Sequence, residues 1–206
     1  MANKVSVSVV GNGIMGTAIA TRLIEAGHQV TVFDIDESKK RNLLERGALG
    51  AESAGEATSA SQYTVTSLNT AAIVGAAVFG PEGVASAATA EKMLIDMSSI
   101  DPVATREMAG KLASTTGMRW VDAPLSGGAP KAAIGELTVM AGGSKEDVEQ
   151  ARQVMDSLCA NYTHMGPSGA GQTTKMVNQV LCALGFQAVA EAVRLATVAP
   201  AEVVQD

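Results

Sequence analysis

Val5-Ser6-Val7-Ser8-Val9-Val10 runs directly into Gly11-Asn12-Gly13-Ile14-Met15-Gly16, and the reading of this stretch decides the fold. The valines at 5, 7, 9 and 10 suit a buried strand. After the glycines, Ile14 to Ala26 carries a helical pattern that stops at Gly27. Strand, glycine loop and helix in that order form a phosphate-binding turn. The first glycine permits the tight turn, the second lets the backbone approach a pyrophosphate, and the third lets the helix pack closely. The helix start then offers free amide groups to the phosphates.

The next segment sharpens this reading. Val30 to Phe33 reads as a second strand, with Asp34 at its end, close to the expected spacing of about 20 residues. A carboxylate there accepts hydrogen bonds from ribose hydroxyls and repels a 2′-phosphate. The following residue is Ile35, not arginine. Gly11, Gly13, Ile14, Met15, Gly16 and Asp34 are therefore expected to bind NAD rather than NADP.

Strand and helix patterns keep alternating, which predicts an α/β, Rossmann-type, doubly wound and mostly parallel sheet. Asp36 is expected to cap a charged helix reaching Arg46, and Gly50 to Ala60 to hold a short helix. Tyr63–Leu68 and Met93–Met97 read as strands, with a short apolar helix, Ala71–Phe79, between them. Asp101-Pro102 starts a helix to about Ser114, since aspartate accepts the first amide protons and proline fits the first helical turn. Arg119–Val121 and Leu137–Ala141 are strand-like, Ser144 with Asp147 resembles a capping box for a helix to Leu158, and Tyr162–Met165 is the last strand. From Gln172 to Val198 there is no convincing break, which predicts one long helix, apolar on several faces. The expected division is a Rossmann domain over 1–168 and, over 169–206, this helix as the truncated start of an all-helical domain.

Composition narrows the classes. Of 206 residues 47% are apolar and 17% charged, enough for a sizeable core, and the net charge of −6 argues against a nucleic-acid partner. The start shows no signal peptide, and no apolar run reads as long enough to span a membrane, so a cytoplasmic protein with no membrane partner is expected. Cys159 and Cys182 read as reduced, packed thiols. His28 and His164 read as structural, and no metal is expected.

Three further stretches complete a pattern: Asp96-Met97-Ser98-Ser99, Asp122-Ala123-Pro124-Leu125-Ser126-Gly127-Gly128, and Gly169-Ala170-Gly171 ahead of Lys175, Asn178 and Gln179. With the glycine loop, these resemble the β-hydroxyacid dehydrogenase family, whose members include 3-hydroxyisobutyrate dehydrogenase and tartronate semialdehyde reductase. The resemblance runs over almost the whole chain. It implies that Lys175 is the catalytic acid/base, with Asn178 holding the substrate hydroxyl or the lysine. The family usually has asparagine at the position of Gln179, so either amide is a candidate for that work. A lysine among apolar side chains gives up its proton more readily, which suits such a relay. Ser126, Gly127 and Gly128 offer a hydroxyl and close-packed amides as a carboxylate cradle. Ser98 is expected at the nicotinamide end of the cofactor, Leu68 and Asn69 on its adenosine side. Asn69 stands where the family usually has proline.

Family members continue from the long helix into a helical domain that closes the site and builds much of the dimer. This chain stops at Asp206, and its apolar helix predicts a homo-oligomer through residues 176–198. Three readings follow. One is an oxidoreductase moving hydride between NAD(H) and a small 3-hydroxy acid or semialdehyde. Another is a truncated NAD-binding protein with little or no turnover. The third is a dimerisation module of the same fold.

Overall fold

The computed structural model describes residues 4–198. Six parallel strands form the heart of the sheet: β1 (Ser6–Val10), β2 (Gln29–Phe33), β3 (Leu49–Gly50), β4 (Tyr63–Thr66), β5 (Met93–Asp96) and β6 (Arg119–Asp122). Their order across the sheet is β3-β2-β1-β4-β5-β6. The chain works outward from β1 to β3, then returns to β4 on the other side of β1. A crevice opens at that reversal, outside the carboxyl ends of the strands. Beyond β6 lie β7 (Leu125–Ser126), β8 (Leu137–Gly142) and β9 (Cys159–Gly166). β8 runs antiparallel to β6 and β7 and parallel to β9.

Alternation along the strands divides the core between two faces of the sheet. Met93, Ile95 and Val121 join one buried cluster with Val7, Val9 and Tyr63, whereas Leu94 and Trp120 join a second with Val74 and Leu112. The first face is covered by α1 (Ile14–Glu25) and α7 (Lys145–Met155), which place Ile19, Leu23, Val154 and Met155 in that cluster. The second is covered by α4 (Ala71–Phe79) and α5 (Pro102–Thr116). Strands buried on both sides explain the valine-rich, nearly unbroken apolar runs of the sequence.

The caps form as their residues dictate. Asp101 Oδ1 accepts the Val103 and Ala104 amides at 2.8 Å ahead of Pro102, and Ser144 Oγ accepts the Asp147 amide at 3.0 Å. The charged helix expected from Asp36 to Arg46 is instead a 3₁₀ turn, Glu37–Lys39, followed by the five-residue α2 (Arg41–Glu45). Lys40 between them is buried, its ammonium bound to the Ala51 carbonyl (2.9 Å) and Glu37 (2.7 Å). A residue drawn inward at that point interrupts an otherwise solvent-facing helix. The segment 50–60 holds α3 (Ala54–Ser59), and α6 (Gly128–Ala133) starts on the double glycine after β7.

The long helix, α8, runs from Ala170 to Val198. Only its first turns pack on the sheet, against β8, β9 and β6. Two expectations need correcting here. By length and composition alone α8 is apolar enough to cross a membrane. Its apolar residues are interspersed with small and amide ones, so no uninterrupted run betrays it. Cys182 is exposed rather than packed, because it lies on the projecting part of α8, whereas Cys159 is half-buried.

Candidate active site

The geometry of the glycine loop requires glycine at two of its three positions and leaves the third open. Gly11 has φ +92°, a left-handed conformation that side chains disfavour, and a Cβ there would lie 2.6 Å from the Ser67 carbonyl oxygen. A Cβ on Gly16 would come within 1.8 Å of the Gly11 carbonyl oxygen, so the helix can sit on the loop only with glycine there. Gly13 is the opposite case: a Cβ would meet nothing within 4 Å. Gly13 is also the N-cap of α1 and has no side-chain cap, so the first amides of the helix face an open space.

Asp34 is 7% exposed and ties this loop to β2. Its Oδ2 accepts the Asn12 amide at 2.7 Å and its Oδ1 the Asp36 amide at 2.9 Å. Lys39 Nζ stands 3.5 Å from Oδ1. Oδ2, with the Asn12 amide as its one partner, has a lone pair to spare. The side-chain amide of Asn12 is buried with both its oxygen and nitrogen unpartnered.

Two clefts meet along this edge of the sheet. One, of about 540 Å³, is lined by Gly11, Phe33, Asp34, Ile35, Leu68 and Ile73 among others. The second, of about 460 Å³, is lined by Gly13 to Gly16, Ser67 to Asn69, Met97 to Ser99 and Leu125. Leu68 belongs to both. An acid on one side, open helix amides in the middle and a second cleft beyond fit a dinucleotide lying across the crevice. Asp34 would hold its adenosine ribose, Gly13 to Gly16 its pyrophosphate, and the cleft of Ser98 its nicotinamide half. Ile14, Met15, Leu68, Asn69 and Ser98 all line the second cleft, and Asn69, expected on the adenosine side, lies there with Ser98 rather than in the cleft of Asp34.

Lys175 lies elsewhere on the same edge. It is half-buried on α8 and makes no hydrogen bond or ion pair among the described residues. It faces a smaller cleft of about 240 Å³ with Ser99, Ile100, Asp101, Pro102, Gln172, Met176 and Gln179. Gln179, one turn on, shares this cleft, and Asn178 does not line it. Ser126 pairs with Thr138 of β8, and Gly127 and Gly128 take φ +122° and +68° in the turn into α6. These three lie beside Leu125 but do not line the clefts themselves.

The sequence reading assigned no role to two buried carboxyls and a glutamine that hold this edge together. Asp96 and Asp122 face each other in register on β5 and β6. Asp96 Oδ1 accepts the Thr66 hydroxyl at 2.8 Å and the Ser98 amide at 3.1 Å, while Oδ2 has no partner. Burial pushes its pKa up to about 6, with a small addition from Asp122. Burial also raises Asp122, and the amides that it accepts oppose this. Those amides are Gly169 (2.7 Å) and Gln172 (3.1 Å), at the start of α8. A Cβ on Gly142 or Gly171 would strike this carboxylate at 2.5 and 2.8 Å. Asp122 is thus the peg that fixes the helix carrying Lys175. The signal was present as an aspartate at a strand end and a glycine pair just before a helix.

Residues 6–166 match the family described as the NAD binding domain of 6-phosphogluconate dehydrogenase. Among curated relatives, 2-(hydroxymethyl)glutarate dehydrogenase of Eubacterium barkeri is 36% identical over 195 residues, covering 95% of this chain and 64% of its own. The 2-hydroxy-3-oxopropionate reductase of Escherichia coli (strain K12) is 37% identical over 196 residues, with 95% and 66% covered. A solved 3-hydroxyisobutyrate dehydrogenase from Mycobacterium tuberculosis, described with L-serine, superposes with a TM-score of 0.88 at 32% identity, over 95% of this chain and 66% of that one. The chain spans a little under two thirds of the length of these relatives. Glycine loop, Asp34 at the end of β2 and switch-point crevice agree with the match: the chain belongs to the β-hydroxyacid dehydrogenase family, through the NAD-binding domain of the 6-phosphogluconate dehydrogenase type.

Proposed function

We propose that this chain is the NAD(H)-binding and proton-relaying part of a cytoplasmic oxidoreductase acting on a small 3-hydroxy acid or its semialdehyde. The observation that carries the reading is the position of Ser99. It lines both the cleft of the glycine loop and the cleft of Lys175, so a cofactor in the first would meet the lysine across one residue. NAD(H), when bound, supplies or takes up the hydride. Lys175 Nζ gives a proton to the carbonyl oxygen in reduction and takes it from the hydroxyl in oxidation. Gln179 on the same cleft and Asn178 on the adjoining face are the amides for orienting that oxygen. Ser126 with the Gly127 and Gly128 amides is the carboxylate cradle. Asp34 selects NAD, since a 2′-phosphate would crowd its charge.

The apolar part of α8 supports a second element of the reading. Val177, Leu181, Leu184, Phe186 and Val189 are each more than half exposed, Phe186 at 78%. Such a stripe calls for cover. We assign it to another copy of this chain, with residues from 169 onward as the start of a helical unit distinct from 1–168. Protein rather than lipid is the cover, because Glu191 and Arg194 punctuate the helix and its first turn is pegged to the sheet.

The test couples binding to turnover. NADH binding is followed by energy transfer from Trp120, then NADH oxidation is assayed with tartronate semialdehyde and methylmalonate semialdehyde. Lys175→Ala should keep NADH affinity and lose at least about 100-fold in kcat. Binding without turnover, unaltered by Lys175→Ala, would leave a cofactor-binding protein with little or no activity. No binding of NADH would reject both.

A further inference from the structure

Gln172 sits on the first turn of α8, and its side chain is 1% exposed. A glutamine on a helix normally points to water, and this one points into the sheet edge. Its Nε2 donates to the Ser98 carbonyl at 2.8 Å, and its Oε1 accepts the Ile100 amide at 3.1 Å. The amide therefore grips the backbone on both sides of Ser99, the residue shared by the two clefts. Its own backbone amide is held by Asp122. On the other side, Ser98 Oγ accepts the Leu68 amide at 3.0 Å, and the Ser98 amide donates to Asp96. An unbroken chain of hydrogen bonds thus runs from the Leu68 loop, through Ser98 and Gln172, to the root of the Lys175 helix.

We propose that Gln172 is a positioning residue that fixes the Ser98–Ile100 backbone, and with it the nicotinamide-side cleft, relative to Lys175. The inference rests on the assignment of the Ser98 cleft to the nicotinamide half of the cofactor. The grip is local. Asp34, assigned to the adenosine half, makes no hydrogen bond to Gln172, and neither does the glycine loop between the two halves. Loss of the side-chain amide should therefore loosen one half of the dinucleotide site and leave the other intact. A residue needed only for stability would not discriminate between the halves.

The experiment compares NADH with ADP-ribose, which lacks the nicotinamide, by calorimetry on wild type, Gln172→Met and Gln172→Glu. Methionine keeps the bulk of the side chain and loses both hydrogen bonds. Glutamate keeps the acceptor for Ile100 and loses the donor to Ser98. Both variants should bind NADH about tenfold more weakly and ADP-ribose within about twofold of wild type. ADP-ribose binding shows at the same time that the variant is folded. Equal weakening of both ligands, or of neither, overturns the inference and leaves the proposed function standing. Wild type that binds ADP-ribose and NADH with the same affinity overturns the assignment of the Ser98 cleft, and the inference with it. Wild type that binds neither overturns the proposed function itself.

Discussion

Replacing Asp96 by asparagine should make the protein gain stability relative to wild type as the pH rises. The carboxyl is 0% exposed, and one of its oxygens has no partner. Its folded-state pKa of about 6 lies above the ordinary value of 3.8. Below pH 3.8 both folded and unfolded chains hold the proton, and the group contributes nothing to the difference. Between 3.8 and 6 the unfolded chain ionises first, so stability falls by about 1.4 kcal/mol per pH unit. Above 6 the loss is complete, at roughly 3 kcal/mol. Asparagine does not titrate. Its own unpaired amide carries a fixed cost, which cancels when the same pair of proteins is compared at two pH values. From pH 4.5 to 7.5 the difference between variant and wild type should move by about 2 kcal/mol in favour of the variant. In urea unfolding, with a slope of roughly 2 kcal/mol/M, that is about 1 M in relative midpoint. A gap between the two midpoints that stays constant over this range would refute the reasoning, because the carboxyl would then titrate as it does in the unfolded chain.

His28 should show the opposite trend. Burial lowers its pKa, and its Nδ1 accepts the Val5 amide, which demands a ring nitrogen without a proton. Its contribution is complete above pH 6.5 and is lost as pH falls toward the lowered value, so His28→Gln should flatten the acid limb of stability in thermal melts between pH 7 and 5. Gly13→Ala should leave the melting temperature within about 2 °C and weaken NADH at least tenfold, since the new methyl meets no protein atom and would stand in the proposed pyrophosphate site. Gly16→Ala should cost more than about 2 kcal/mol in urea unfolding, because its Cβ would overlap the Gly11 carbonyl. Sedimentation at micromolar concentration should show a dimer or larger. A monodisperse monomer would remove the α8 interface from the proposal.

What the sequence revealed was whatever depends on neighbours in the chain. Gly11 to Gly16, Asp34, and the caps at Asp101-Pro102 and Ser144 are short-range patterns, and each forms as its residues require. The hidden features depend on partners far away along the chain. Lys40 breaks its helix because the Ala51 carbonyl lies beneath it. Gln172 looks like a surface glutamine until Ser98 and Ile100 are placed beside it. Asp122 reads as part of a motif, but its task is set by amides 47 and 50 residues later. β7 and α6 are two and six residues long, too short for any periodicity to register. Of the candidate site, the cofactor half was legible for this reason. The proposed substrate half would join β7 to a helix that begins far along the chain.

The peg at Asp122 makes α8 a lever with very unequal arms. From Gly171 to Val198 the helix is about 40 Å long, whereas Lys175 lies only about 6 Å from the peg. A tilt of about 5° would sweep the far end through roughly 3.5 Å and shift Lys175 by about 0.5 Å. Whatever settles on the outer turns can therefore adjust its fit freely, and the lysine near the fulcrum is shielded from that movement.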